Sequence, residues 1–492
     1  CTKGRPTRIT VTKQDGAPPD EPVMLKILDC RRKDSTSYRT KRSTLSMRDG
    51  VLHTRRFTKE EYPDDLVFFV RAKDAKGRVS PVMALNCAPK SDVYSKTPQM
   101  ITRGVTKDPA RSMAFAWFTA LDVKKNVLKI WREGESERTA RRIPARPAYA
   151  REWVERVMVN HTRVDMNREA TQFDVEVTNL LPDTSYCCRF GGPEGWSEVF
   201  FCRTLPESIE RLDAVLMADA QIGENEPHYA EYAKLMEQAI RRAKAPYVML
   251  STGDMVNAAG KQDDYARTLS VAQKHFAGEV WIPTPGNHEW EHIREFENYK
   301  SHWNLPRRGD ALTDELLYSV HMGPVCFVSV PGYGGSLPMH FVNEVEKELA
   351  DASANKPDWL VVLLHSSPYG KSGETFNPRY YVPVFEKYGV DLALSGHDHL
   401  YVRSTMWQGK RVPVGEGITY VSLGFTGPSH DRNCRFPWQD YVFGDNPAHV
   451  TKDGKPDPFC SMASFTKDRI VLTVTTASGV LVDEVVLEKA PN

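Results

Sequence analysis

The stretch DLALSGHDHLYVRS, Asp391–Ser404, runs from an apolar strand candidate straight into a loop that sets His397 and His399 around Asp398. A short apolar run bounded by turn-forming residues fits a strand buried on both faces. The H-x-H behind it fits either a metal grip or a polar loop, and the pair alone does not decide between them. What decides is whether other runs of the same kind end in the same way.

From Leu212 onward they do. AVLMA is followed by Asp219 and Gln221, YVMLS by Asp254 in T-GD, and VWIPTP by Asn287 and His288 in GNHE. WLVVLL is followed by His365. Between or before these runs lie helical patterns. Tyr229, Tyr232, Met236, Ile240 and Ala243 recur at helical spacing, and DDYARTLSVAQKHF, HFVNEVEKELADA and YYVPVFEKYG read as further helices. Strand alternating with helix argues for a layered α/β domain with a mainly parallel sheet. In such sheets ligands collect outside the carboxyl ends of the strands. Five strand ends that each deliver a metal-competent side chain are hard to explain as separate helix caps or backbone-bonded histidines.

Carboxylates, imidazoles and amide oxygens without thiolates suit Mn, Fe or Zn. The donors are too many for one tetrahedral ion and suit two ions about 3.5–4 Å apart, a pair able to clamp the oxygens of an in-line displacement at phosphorus.

D-x-Q, GD, GNHE, a strand-terminal His and GHDH, in this order, resemble the calcineurin-like metallophosphoesterase superfamily, and within it purple acid phosphatases and their bacterial relatives. GHDHLYVR is similar to that group's closing motif. SMAFAWFT and LLPDTSYCCRFGG…WSEVFFCRT resemble its fibronectin-like N-terminal domain, and IVLTVTT with GVLVDEVVLEK its closing hairpin. The resemblance covers about residues 97–490. It implies an α/β catalytic domain, a layered αββα sandwich, behind all-β domains. One metal would be held by Asp219, Gln221, Asp254 and His399, and a second by Asp254, Asn287, His365 and His397. Asp254 would bridge them, a metal-bound hydroxide would attack phosphorus, and His288 would serve as general acid. Phosphomonoesters are the expected substrates and phosphodiesters the alternative. A reading of another class is a catalytically weak surface lipoprotein whose β domains bind glycan or a partner.

Two positions depart from the family pattern. Gln221 stands where the first motif often ends in His. Asn257, in GDMVN, stands where purple enzymes carry a Tyr three residues after the Asp. Without tyrosinate the enzyme is expected to be colourless, with divalent metals. His228, Tyr369 and Asn257 are candidate substrate contacts.

The sequence has 492 residues, which predicts two to four domains. The division expected is a tether at 1–6, an Ig-like β-sandwich at 7–90, the fibronectin type III-like domain at 97–206, and the metallophosphoesterase domain at 207–490 with an insertion at 427–460. The stretch from Arg138 to Arg163 is basic and irregular. Lys plus Arg number 65 against 64 Asp plus Glu, a balance that gives no reason to expect a nucleic-acid partner. No apolar run approaches the roughly 18 residues of a membrane span. The opening CTKGRP resembles a mature bacterial lipoprotein, with Cys1 lipidated, and points to the periplasm or cell surface. Disulfides Cys30–Cys87, Cys202 with Cys187 or Cys188, and Cys434–Cys460 suit that compartment, while Cys326 reads as a buried thiol.

Overall fold

Short β-branched and aromatic runs supply most of the regular structure in a computed structural model of the chain. It describes residues 7–8, 23–32, 44–45, 47–48, 51–52, 66–80, 82–86, 94–159, 162–222, 226–259, 262–290, 296–331, 339–370, 380–427, 436–443 and 457–489. Cys1, Cys87 and Cys434 lie outside the described residues, and with them the lipidation reading and one partner of two expected disulfides.

One compact unit takes in residues 1–95, 149–170 and 260–262. Its sheet pairs Val23–Arg32 with Leu66–Asp74, and that strand with Met83–Asn86, all antiparallel. Leu25 and Ile27 point inward at alternate positions, and a register shift between Ile27 and Asp29 lets Cys30 point inward too. One extra residue in a strand changes the inward parity of everything after it.

The basic stretch is not irregular. Arg146–Val159 and Thr162–Val177 are long strands, preceded by the short strand Arg141–Pro144. A strand depends on its partner more than on its own composition, so charge hid these from a reading of residues alone.

The second unit begins at Lys96 and holds the rest of the chain. Its β module packs Ile101, Phe115, Trp117, Leu128, Ile130, Phe173 and Phe190 into one core. Trp117 stacks on Phe173 and donates from Nε1 to Asn126. The LLPDTSY turn closes as a tyrosine corner, with the Tyr186 hydroxyl accepting from the Leu181 amide at 2.8 Å. The expected Cys202 disulfide is absent, and Cys187, Cys188 and Cys202 are buried thiols. Register puts Cys188 opposite Phe200 and Cys202 opposite Tyr186. Cys202 donates to the Ala277 carbonyl at 3.3 Å and shares a hydrogen bond with the Cys188 thiol. Cys326 is a thiol pushed up to about 12 by burial.

Two sheets form the α/β part. In the first, Arg211–Met217, Tyr247–Ser251 and Trp281–Pro283 run parallel, and Phe459–Thr466, Arg469–Thr476 and Leu481–Glu488 extend it antiparallel. In the second, Val325–Ser329, Trp359–Ser366, Leu392–Gly396 and Ile418–Leu423 are parallel, and Tyr401–Trp407 returns antiparallel. Every residue of Trp359–Ser366 is buried, as a strand covered on both faces requires. Phe465 of the first sheet meets Phe327 of the second edge to face, with ring centroids 5.4 Å apart. Glu226–Arg242 packs on the first sheet and Met339–Ala354 on the second, completing a helix–sheet–sheet–helix sandwich.

The β module joins the first sheet through its own strand. Gln99–Gly104 runs beside Trp281 in parallel register, and the Val105 amide donates to the Trp281 carbonyl at 2.9 Å.

Candidate metal centre

The parallel strands of both sheets deliver the chemistry at their carboxyl ends. Asp219 follows Arg211–Met217, Asp254 follows Tyr247–Ser251, and Asn287 follows Trp281–Pro283. From the second sheet, His365 sits near the end of Trp359–Ser366, while His397 and His399 follow Leu392–Gly396. Asp219, Gln221, Asp254, His397 and His399 all adopt positive φ, between 28° and 70°. Side chains other than glycine resist that region, and such strain collects at functional sites. Glycines make room beside the carboxylates. A Cβ on Gly286 would overlap Asp254 Oδ1, and one on Gly396 would overlap Asp219 Oδ2.

Two groups of donors result, each with its ligand atoms within 4.8 Å of one another: Asp254, His365 and His397, and Asp219, Asp254 and His399. Asp254 belongs to both. His365 Nδ1 is bonded to the Thr252 carbonyl at 2.9 Å, which turns Nε2 toward Asp254 Oδ2 at 3.0 Å and Asn287 Oδ1 at 2.9 Å. Asn287 Oδ1 also lies 2.8 Å from His397 Nδ1, which places the amide oxygen beside the donors of the Asp254, His365 and His397 group. His399 Nε2 is 3.5 Å from Asp219 Oδ1. Gln221 donates from its amide to Asp254 Oδ2 at 2.6 Å. Turning that amide over, which side-chain size permits, would offer oxygen in its place.

The electrostatics call for cations. Asp219, Asp254 and Glu289 are all buried, and their side-chain partners are imidazoles and amides. Burial raises Asp219, with Asp254 adding to it. Burial also works against ionised Asp254, but the His365 imidazole outweighs it and holds the carboxyl low. Burial works against charge on His365 as well, yet Asp254 and Asp219 push it up to about 10. His397 goes the other way, down to about 4, through burial and the neighbouring His365. Oxygen and nitrogen donors without sulfur, around buried carboxylates whose basic partners among the described residues are imidazoles, fit two Mn, Fe or Zn ions.

His288 lies beside these groups. Its amide donates to Asp254 Oδ1 at 2.8 Å, and its Nδ1 is bonded to the Asn257 carbonyl at 2.5 Å. Asn257 therefore acts through its backbone, with its side chain exposed. Tyr369 packs its ring against Tyr420 at 4.9 Å, a core contact. His228 is half-buried on the first turn of Glu226–Arg242, and among the described residues no hydrogen bond or ring contact joins it to the donor groups.

One residue passed unnoticed in the motif reading. Glu289, last of GNHE, is fully buried and accepts from the amides of Asp254, Met255, Val256 and Gly286. Burial, with Asp254 adding to it, pushes it up to about 7. The available signal was a carboxylate directly after Asn287 and His288 in the GNHE loop.

Residues 214–401 match the family model described as calcineurin-like phosphoesterase, and residues 98–204 that of the purple acid phosphatase N-terminal domain. A purple acid phosphatase from Glycine max is 31% identical over 147 residues, 27% of this chain and 31% of that protein. Acid phosphatase type 7 from Homo sapiens is 25% identical over 260 residues, 46% of this chain and 56% of that protein. The chain thus spans about a third to a half of these relatives' length. The structure of a purple acid phosphatase from yellow lupin seeds aligns with a TM-score of 0.65 at 14% identity, covering 96% of this chain and 91% of that one, a likeness of fold.

Proposed function

Since the chain carries a calcineurin-like phosphoesterase domain behind a purple acid phosphatase N-terminal domain, we propose that it is a metal-dependent hydrolase of phosphate esters, with phosphomonoesters as its substrates. The observation that carries the reading is the sharing of buried Asp254 by two donor groups. Asp219, Gln221, Asp254 and His399 would hold one ion, and Asp254, Asn287, His365 and His397 the other. Two ions bound there supply Lewis acidity at phosphorus and a lowered pKa for water.

The remaining work falls to the chain. The Thr252 carbonyl fixes the His365 ring so that Nε2 faces inward. The Asn257 carbonyl accepts from His288 Nδ1, which leaves Nε2 as the nitrogen that, in the imidazolium form, would give its proton to the departing oxygen and leave the neutral ring. Glu289 ties the loops of Asp254 and Gly286 together, which keeps the shared carboxylate in place.

The test uses stripped protein reloaded with Mn, Fe or Zn and assayed on aryl phosphate mono- and diesters, beside Asn287→Ala and His288→Ala. Monoester turnover that both variants depress supports the reading. Faster diester turnover would redirect it to a phosphodiesterase. Folded protein inert with every metal would overturn it in favour of a binding role.

A further inference from the structure

The inserted segment reaches toward the metal centre from outside the motifs. Tyr441–Phe443 adds to the Tyr401–Trp407 strand, and the Asp440 carboxylate accepts from the Thr405 amide at 2.9 Å, so the segment is fixed in place. Phe436 stacks on Trp438 with centroids 4.6 Å apart, and the Phe436 amide donates to Gln439 Oε1 at 2.8 Å. From this platform Trp438 Nε1 donates to the Gly370 carbonyl at 3.2 Å, and Gln439 Nε2 donates to the same oxygen at 3.5 Å.

Gly370 lies in the loop that follows the strand carrying His365. On its other side it lies against buried Asp398, so closely that a Cβ there would overlap Asp398 Oδ2. Asp398 follows His397 directly. A third bond, from Ser404 Oγ to the Tyr369 carbonyl at 3.0 Å, holds the same loop from the strand beneath. The contacts run without a gap from the insertion to Gly370, to Asp398, and to the histidine ligands.

We propose that Trp438 and Gln439 are positioning residues: they press residues 367–370 onto Asp398 and so fix the half of the centre built from His365 and His397. The proposal rests on the reading of these histidines as metal ligands. Outer partners of this kind set ligand orientation, and their loss costs about 10–100-fold in metal affinity.

Trp438→Phe keeps the stack and removes the donor. Gln439→Glu keeps the acceptor for Phe436 and replaces the donor with an oxygen facing the Gly370 carbonyl. Gly370→Ala disturbs the same contact from the other side without touching the insertion. Mn2+ or Zn2+ alone is titrated calorimetrically into the stripped full-length chain. The unaltered protein takes up two equivalents. In the Trp438→Phe/Gln439→Glu double variant, and separately in Gly370→Ala, one equivalent is expected to weaken about 10–100-fold while the other keeps its affinity. Two unchanged equivalents, or equal weakening of both, overturn the proposal. No uptake by the unaltered protein overturns the metal-centre reading itself, and this proposal with it.

Discussion

Glu289 Oε2 accepts the Asp254 amide at 2.7 Å, so the backbone of the carboxylate common to both donor groups hangs from a second carboxylate 35 residues further along the chain. The same oxygen takes the Gly286 amide at 2.7 Å, and Oε1 takes the Met255 amide at 2.8 Å. One side chain closes two ligand loops.

Glu289→Gln keeps the volume but turns an NH2 group toward amide donors. Leaving buried donors unmatched costs about 1–3 kcal/mol, and metal affinity should fall about 10–100-fold. Denaturant unfolding of the stripped protein and a metal titration measure the two effects. Native values in both would show that the carboxylate does not hold these loops.

Asp254 and Asp219 differ in how many donor groups they serve. Asp254→Ala is expected to abolish tight uptake of both metals, and Asp219→Ala to leave one. Elemental analysis after gel filtration gives the stoichiometry. Equal losses would deny Asp254 its shared position.

His302 offers a pH signature remote from the donor groups. It is fully buried, stacked on Tyr265 at 3.8 Å and bonded through Nδ1 to the Asn298 carbonyl, and burial drives it down to about 3. An unfolded His titrates near about 6.5. As pH falls below that value the unfolded chain takes a proton the native state refuses. Stability is therefore lost on the way down to the folded pKa, at about 1.4 kcal/mol per pH unit. His302→Phe keeps a ring for the stack and should flatten the slope of unfolding free energy between pH 6.5 and 5. A slope identical to the parent's would exclude His302 as its source.

Colour tests the substitution at 257. With Asn in place of a tyrosine there is no phenolate to give a charge-transfer band, so protein loaded with any of the three metals should be colourless. A purple protein as isolated would contradict this.

Much of the layered domain was legible because its evidence is local. Each buried parallel strand is a short apolar run, and each gathered side chain stands within a few residues of its end, so adjacency in sequence carried the site. What escaped depends on distant partners. Glu289 bonds amides more than 30 residues away, and the strands Arg146–Val159 and Thr162–Val177 draw their order from pairing. The cysteines misled for a related reason. CysCys followed by Cys202 suggested a crosslink; register does make Cys188 and Cys202 diagonal neighbours, but their thiols meet through a hydrogen bond and not a disulfide. Positive φ at five of the candidate ligands was hidden as well, since Asp, Gln and His carry no glycine-like signal for it.

The parallel register between Gly104 and Trp281 makes the sequence boundary near residue 207 a poor place to cut. Arg103, buried, donates to the Gly278 carbonyl at 2.7 Å and the Arg203 carbonyl at 2.8 Å, and Gln273 exchanges hydrogen bonds with the backbone of Ile101. A fragment starting at 207 would expose the rim of Trp281–Pro283, a strand of three fully buried residues, as an open template for pairing with other chains. Expressed alone it should self-associate, and the α/β half is better regarded as a sheet that continues beyond Trp281–Pro283 into Gln99–Gly104 and Met113–Ala120 of the module before it.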